Sequence, residues 1–501
     1  MKIVSSEAMS RIDRRTQAEF AFPSMLLMED AGVKAWAVLR RLAWGGRRPR
    51  GRLVFVAGRG NNGGDAFVMA RQAAVERMEA STIVLAGGRP EKDSDPGRNL
   101  ATCDALGIET IDWQAQPALV MSRLAEASWI LDGIAGTGMS GALRPPLADL
   151  VQRVNQSAAR KAALDVPSGI GDGYVQGSPA VRADLTLTMG LPKLCLYLPR
   201  ARALCGRIFV VPVGFPPALL EDPSIPGELL SSAAWRRLAP PIAADTHKNR
   251  RGHLAVFAGT RGTTGAAWLC ATAAARARVG LVTLFADPEI YPLVASKLTS
   301  VMCRPWDPPQ RDAWDPTRYS AVLVGPGWGL ADDKAAWLET LLALPLPGVI
   351  DADAITLLGE KAAVRKVDLG GRWVLTPHPG EFARLTGTAP DAVLDDPVGH
   401  AVAASKRLNA IMVLKGHSTI VAAPDGRFWI LDGGNPALAT AGSGDVLAGL
   451  IAAGIAGGLP PLDAARFGVS LHAFTGARAA RQLGWFLAED LVPLVSRVLW
   501  K

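Results

Sequence analysis

Two consecutive α/β units, each built on a largely parallel sheet with crossover helices, are the architecture this sequence predicts. Three observations predict it. The length of 501 residues is long for one domain and comfortable for two. Short β-branched runs alternate with Ala-, Leu- and Arg-rich helical stretches. A Pro-rich interruption lies near the middle, and the alternation restarts after it. The composition, 49% hydrophobic and 20% charged with 52 glycines, suits globular α/β packing and excludes a disordered or coiled-coil chain.

In chain order, the apolar runs at 53–57, 82–86, 129–131, 162–164, 185–188 and 208–211 read as the strands of the first half. The connection 213–232 is too rich in proline for a regular element and marks the boundary, with domains expected at 1–217 and 226–501. The strands of the second half are expected at 254–257, 281–285, 321–324, 349–350, 373–375, 411–414 and 418–422. The two halves share a layered pattern but carry different motifs, so they are not repeats.

The net charge of +8 comes from scattered arginines with short clusters such as Arg47, Arg48 and Arg50. That is a mildly basic surface for anionic small molecules, with no nucleic-acid patch. The five cysteines, Cys103, Cys195, Cys205, Cys270 and Cys303, lack CxxC spacing, which argues against a disulfide framework or a zinc site and for a reducing compartment. The start, MKIVSSEAMSRIDRRTQ, has no apolar signal core, and the longest apolar run, near 446–459, is too short to span a membrane. A cytoplasmic homo-oligomer is the expectation.

In an open parallel sheet ligands sit at the carboxyl ends of the strands, so the polar residues after each apolar run are the candidates. The most informative stretch is 435–458, NPALATAGSGDVLAGLIAAGIAGG, where Asp445 follows Gly442 and Gly444 at the start of a long apolar helix. Glycines let a backbone approach a phosphate, the first amides and the helix dipole favour its charge, and the carboxylate can take a proton from an attacking hydroxyl. The same string also fits a Gly-Ser loop with an Asp N-cap.

In the first half, Gly58, Gly60 and Gly63 satisfy the dinucleotide fingerprint after a strand, which makes an NAD-dependent dehydrogenase the first rival. The acidic residue after the second strand is missing, and Arg89 stands there instead. Asn61, Asn62, Gly64 and Asp65 supply carbonyl and carboxylate oxygens of the kind that suit a hard cation.

GNNGGD, with the downstream DGIAGTG and DVPSG and the leading FAFPSMLLMEDAG, resembles the amino-terminal domain of the YjeF family, the NAD(P)H-hydrate epimerases, from about Ser5 to Pro212. The resemblance implies a Rossmann-like three-layer αβα fold. It also implies a potassium ion on Asn62, Asp132 and Ser168, and a substrate held by Asn61, Asn62, Gly63, Gly64, Asp65, the loop Gly136, Thr137, Gly138, Met139, Ser140, Gly141, Ala142, and Asp165. The substrate is NADH or NADPH with water added at carbon 6 of the reduced ring, and epimerisation there needs a proton acceptor and donor. Asp165 is the carboxylate expected to serve, although a carboxylate capping the 167–169 turn reads the same way. Ala66 stands where the family usually has glycine and should crowd the helix start.

From Leu229 to Val498 the order HK, GPGWG, DAD, TPHPGE, KGHST, AGSGD resembles the YjeF carboxy-terminal domain, a ribokinase-like ADP- or ATP-dependent NAD(P)H-hydrate dehydratase. The resemblance assigns Lys415, Gly416, His417, Ser418, Thr419 and Gly444 to the adenine nucleotide, and Ala266, Gly327 or Gly329, His378 and Asp445 to the hydrated nicotinamide. Magnesium would accompany ADP, with Asp351 and Asp353 as magnesium or supporting groups. The implied reaction moves a phosphoryl group from ADP to the ring hydroxyl of the S epimer as Asp445 takes its proton, with the amides of 442–444 holding the moving charge. Asn249 replaces the usual glycine of HKGxxG and tolerates left-handed backbone, and Ser443 replaces the threonine of GTGD. Two other readings stay open: a carboxy-terminal kinase for a vitamin-precursor alcohol, and a non-catalytic amino-terminal binding module.

Overall fold

The computed structural model describes residues 1–48, 51–76, 81–139, 141–362, 367–433 and 435–500, with backbone alone at 309, 361 and 362. The chain divides into two compact units, Met1–Ile225 and Pro226–Lys501.

The first unit carries seven strands among its described residues: β1 (Arg52–Ala57), β2 (Ser81–Leu85), β3 (Glu109–Asp112), β4 (Ala127–Gly133), β5 (Arg160–Leu164), β6 (Leu185–Met189) and β7 (Arg207–Val211). They lie in the order β3-β2-β1-β4-β5-β6-β7, and every pair is parallel. Chain order reverses between β1 and β4, which opens a crevice beyond their carboxyl ends. Alternate side chains feed two cores: Phe55 and Leu131 join Trp36, Leu39 and Phe67 on one face, while Val54 and Ile130 join Leu124, Leu150 and Val154 on the other. The three-layer αβα expectation is met.

The second unit has β8 (Gly227–Leu229), β9 (His253–Phe257), β10 (Leu281–Ala286), β11 (Met302–Pro305), β12 (Ala321–Val324), β13 (Gly348–Ile350), β14 (Trp373–Leu375), β15 (Ile411–Leu414), β16 (Ser418–Ala422) and β17 (Phe428–Asp432). The order is β11-β10-β9-β12-β13-β14-β15-β16-β17-β8, parallel except where β16 runs antiparallel to β15 and β17. The crevice here falls between β9 and β12. Helices Thr264–Arg276, Ser443–Ala456 and Pro461–Leu483 cover one face. A Cβ at Gly449 would stand 2.3 Å from the Cys270 carbonyl, so this glycine lets the two helices that begin at the site pack closely.

Several expectations are corrected. The connection 213–232 is partly regular: helix Pro217–Leu220 starts with proline at its first position, where no N–H is needed, and β8 pairs in parallel with β17 just after Pro226. Residues 218–225, beyond the expected end of the first domain, belong to the first unit, where Leu219 packs on Met9 and Ile12 and Lys2 Nζ donates to the Ile225 carbonyl at 2.9 Å. Asn249 lies in the 3-10 turn Lys248–Arg251 without a left-handed backbone, so the tolerance invoked for it is not used. Gly252 is the left-handed residue there, with φ +79° and Cβ space closed by the Ala456 carbonyl. Ala66 is buried in the second turn of its helix, where a Cβ at Gly133 would stand 2.8 Å from its own.

Candidate active sites

In the first unit the residues 61–65 are not a loop but the opening turns of helix Asn61–Val75. The backbone carbonyls of these residues are therefore turned into helical hydrogen bonds, and they would meet an ion through their side chains. Gly63 and Gly64 face the protein: a Cβ would stand 2.0 Å from the Gly58 carbonyl at Gly63 and 2.4 Å from Met28 Sδ at Gly64. Gly63 brings the helix against the turn after β1 and Gly64 against helix Ser24–Trp44, and neither lines the cleft.

The cleft beyond the strand ends holds about 490 Å³ and is lined by Asn61, Asn62, Asp65, Gly136, Thr137, Gly138, Met139 and Asp165 among the expected residues. Gly141 and Ala142 are exposed outside that lining, and Ser140 lies outside the described residues. Asp13, Gln17, Lys193 and Phe215 line the same cleft without having been anticipated.

Asp132, at 0% exposure, lies within β4 rather than after it. Its Oδ2 accepts from the Ser168 amide at 2.8 Å and its Oδ1 from Ser168 Oγ at 2.5 Å and the Ile134 amide at 3.2 Å. Burial pushes its carboxyl up to about 6 despite the Ser168 hydrogen bonds. Asn62, 9% exposed, has both its amide oxygen and nitrogen buried without a partner. A Cβ at Gly136 would stand 3.3 Å from Asn62 Cγ, so the glycine lets the 136–139 segment close over that amide.

Asp165 follows β5 with φ +64°, a conformation that a non-glycine residue holds only when its surroundings impose it. Those surroundings are an ion pair with Lys193, the Met189 amide at 3.1 Å and Thr188 Oγ1 at 3.4 Å, all on Oδ1. Burial, with Asp165 and Asp13 nearby, raises the Asp65 carboxyl well above the usual range, and Lys193 opposes the shift.

In the second unit Asp351 follows β13, Lys415 follows β15, and helix Ser443–Ala456 starts at Gly442, φ +86°, with no side chain capping it. The amides of that first turn are open to an anion. Lys415 Nζ reaches Asp351 Oδ1 at 3.1 Å and Glu381 Oε2 at 3.9 Å. Its burial disfavours the ammonium, yet the carboxylates of Asp351 and Glu381 outweigh this and raise it above the ordinary lysine value.

Asp351 also accepts from Thr376 Oγ1 at 2.7 Å, and Asp353 accepts from the Gly329 amide at 2.7 Å. Both of these carboxylates are committed to neighbours, which suits the supporting role. Asp445 makes no side-chain hydrogen bond or ion pair among the described residues. Burial and the charge of Asp351 push its carboxyl up to about 7, with Lys415 opposing. It is the available proton acceptor.

His378 caps helix Pro379–Thr386: its Nδ1 accepts from the Gly380 amide at 3.0 Å, while its own amide donates to Glu381 Oε2 at 2.8 Å. Ser443 keeps a hydroxyl, but it donates to the Leu438 carbonyl at 2.7 Å and so holds the turn. Ala266 and Gly327 face each other across β9 and β12, since a Cβ at Gly327 would lie 3.0 Å from that of Ala266. Along β15 and β16, Gly416 and His417 are exposed, Thr419 is half-buried, and Ser418 is buried with its hydroxyl unpartnered.

A doubly wound unit with a polar crevice, followed by a unit that pairs an open helix start with a free carboxylate and a lysine, defines a two-site enzyme for nucleotide-like substrates. The comparisons with known proteins narrow this class. A family model described as NAD(P)H-hydrate dehydratase matches residues 254–496, and one described as YjeF-related protein N-terminus matches residues 24–195. The chain is 36% identical over 519 residues to the bifunctional NAD(P)H-hydrate repair enzyme Nnr of Moorella thermoacetica, covering 100% of this chain and 97% of that one. The protein of the same name from Coxiella burnetii is 34% identical over 447 residues, 88% of each chain. A ribokinase-like superfamily protein from Enterococcus faecalis matches 55% of this chain and 95% of its own at TM-score 0.51 and 24% identity, a likeness of fold. The chain belongs to the family of bifunctional NAD(P)H-hydrate repair enzymes.

Proposed function

We propose that residues 1–225 epimerise hydrated NADH and NADPH and that residues 226–501 dehydrate the S epimer at the expense of ADP, giving AMP and phosphate. The observation that carries the second half is Asp445, a free carboxylate at an uncapped glycine start with Lys415 beside it. In this reading Asp445 takes the proton of the ring hydroxyl as that oxygen attacks the terminal phosphorus of ADP. The first-turn amides and the Lys415 ammonium hold the charge on the transferred group. Loss of phosphate from carbon 6 and of a proton from carbon 5 then restores the double bond of the reduced ring. A vitamin-precursor kinase and a non-catalytic amino-terminal module are not favoured by relatives that match both units.

Among the described residues no group of three or more His, Cys, Asp or Glu could hold a metal. The donor set therefore fits a magnesium ion that enters on the phosphates of ADP and takes at most one or two protein carboxylates. In the first unit the unpartnered Asn62 amide, Asp132 and Ser168 offer neutral oxygens and one carboxylate, a set that fits potassium.

Because Asp445 must be ionised to act and its carboxyl is raised to about 7, dehydration should fall as pH drops through about 7. A proton acceptor at its ordinary value would leave the rate flat down to the usual carboxylate range near pH 4. Rates of S-epimer dehydration at saturating ADP from pH 5 to 9 test this. A rate independent of pH between 5 and 8 removes Asp445 as the base.

The two activities should also separate. A fragment of residues 1–225 should equilibrate the epimers without nucleotide, and one of 226–501 should consume only one epimer, because each carries its own sheet and strand-end residues. Two fragments that melt cooperatively yet are inactive apart contradict this division.

A further inference from the structure

The lining of the amino-terminal cleft includes four charged side chains: Asp13, Asp65, Asp165 and Lys193. One lysine among three carboxylates is an unequal set, and the geometry shows where its charge goes. Lys193, 1% exposed, is held by the amino terminus, where Val4 donates to the Pro192 carbonyl and accepts from the Leu194 amide. Its ammonium touches Asp165 Oδ1 and the Met189 carbonyl, the latter at 2.5 Å. Among the described residues every hydrogen bond to the Asp165 carboxylate falls on Oδ1, which leaves Oδ2 for a ligand. Asp65 has no such partner: its carboxyl makes no hydrogen bond or ion pair among the described residues.

We propose that Asp165 and Asp65 divide the base and acid work of the cleft, with Lys193 as the positioning residue that keeps the two carboxylates in different roles. The inference rests on the reading of this unit as the epimerase and goes beyond it by naming the proton donor. Inverting carbon 6, which carries both the hydroxyl and the ring nitrogen, requires that carbon to become planar. Asp165 accepts the hydroxyl proton, the oxygen forms a carbonyl as the bond from carbon 6 to nitrogen breaks, and the released nitrogen pair takes the proton of Asp65. Rotation about the bond between carbons 5 and 6 turns the other face of the aldehyde to the nitrogen. Closure then reverses both transfers, returning one proton to Asp65 and one to the hydroxyl, with no net redox change.

Such a pair works only if one carboxyl is ionised while the other keeps its proton. Asp165 has the ammonium. Asp65 is pushed toward the neutral acid by burial and by the charges of Asp165 and Asp13, against Lys193, while burial also raises Asp13 against its Gln17 hydrogen bond.

The test follows interconversion of pure R epimer by the full-length protein in potassium, with ADP-driven dehydration of S epimer by the same chain as a control. Asp65→Asn should lower interconversion by about two to four orders of magnitude with dehydration unchanged. Lys193→Met should move the acidic limb of the interconversion profile to higher pH, because it removes the ammonium that opposes the carboxylate charges lining the cleft. Lys193→Arg, which keeps the charge, should restore the limb toward wild type. Should Lys193→Met fail to fold, Asp65→Asn and the Lys193→Arg profile decide. Interconversion by Asp65→Asn within about tenfold of wild type, or an unmoved limb in folded Lys193→Met, overturns the proposal. A wild-type protein that does not interconvert the epimers at all sinks instead the epimerase reading beneath it.

Discussion

Asp445→Asn should abolish dehydration in practice, lowering the rate by about two to four orders of magnitude while ADP still binds. The amide keeps the side chain's shape and loses the proton acceptor. Since the native carboxylate makes no hydrogen bond or ion pair among the described residues, the substitution removes no contact that the helix start depends on. Single-turnover rates with S epimer, together with an ADP titration by calorimetry, separate the chemical step from binding. A variant that retains more than about a tenth of the wild-type rate would mean that the base lies elsewhere. The neighbouring candidates are poorer ones: Asp351 is tied to Thr376 and Lys415, and Glu381 to the His378 amide.

Asp132→Ala should silence the other site selectively. It removes the one charge among the proposed potassium ligands and the acceptor of two Ser168 hydrogen bonds, at a residue with 0% exposure. An ion site that loses even a supporting partner weakens by about 10- to 100-fold, and loss of the charged ligand should cost at least that. Sodium should be a poor substitute, because a smaller ion draws Asn62 and the 166–169 turn inward and displaces Asp165, which lies three residues before Ser168. Epimerisation should therefore collapse in this variant, and fall in sodium or choline chloride at equal ionic strength, while dehydration of S epimer continues. Equal epimerisation in all three salts, with Asp132→Ala as fast as wild type, would rule the ion out.

The sheets were readable in the sequence wherever a strand is buried on both faces, because such strands are continuous apolar runs such as 53–57 and 411–414. Strands that escaped notice lie at edges or carry charge: Glu109–Asp112 and Met302–Pro305 are outermost, and Gly227–Leu229 sits among prolines. Phe428–Asp432 is the exception, since Asp425-Gly426 after the run 418–422 was a hairpin signal in plain view. Collecting polar residues at strand ends reached Asp165, Asp351 and Lys415. It missed Lys193 because that lysine arrives four residues after β6 through a turn held by the amino terminus, a contact between Val4 and residues 192–194 that no local pattern encodes. Asp13 escaped for a similar reason, as it projects from helix Ser6–Phe20 outside the alternating strands and helices. At Gly63 and Gly64 the structure shows a packing role that the motif did not announce, since a Cβ on either would strike the neighbouring turn or helix.

The central claim is that one chain carries two successive and separable steps, the first feeding the second. Pure R epimer of hydrated NADH, given to the full-length protein with ADP in potassium chloride, tests it most directly through the return of NADH absorbance. Complete return is expected from wild type and from a mixture of Asp132→Ala and Asp445→Asn proteins, with either variant alone slower by at least about tenfold. Return of R epimer by Asp132→Ala alone at the wild-type rate, or none by the mixture while each variant keeps its remaining activity, would contradict it.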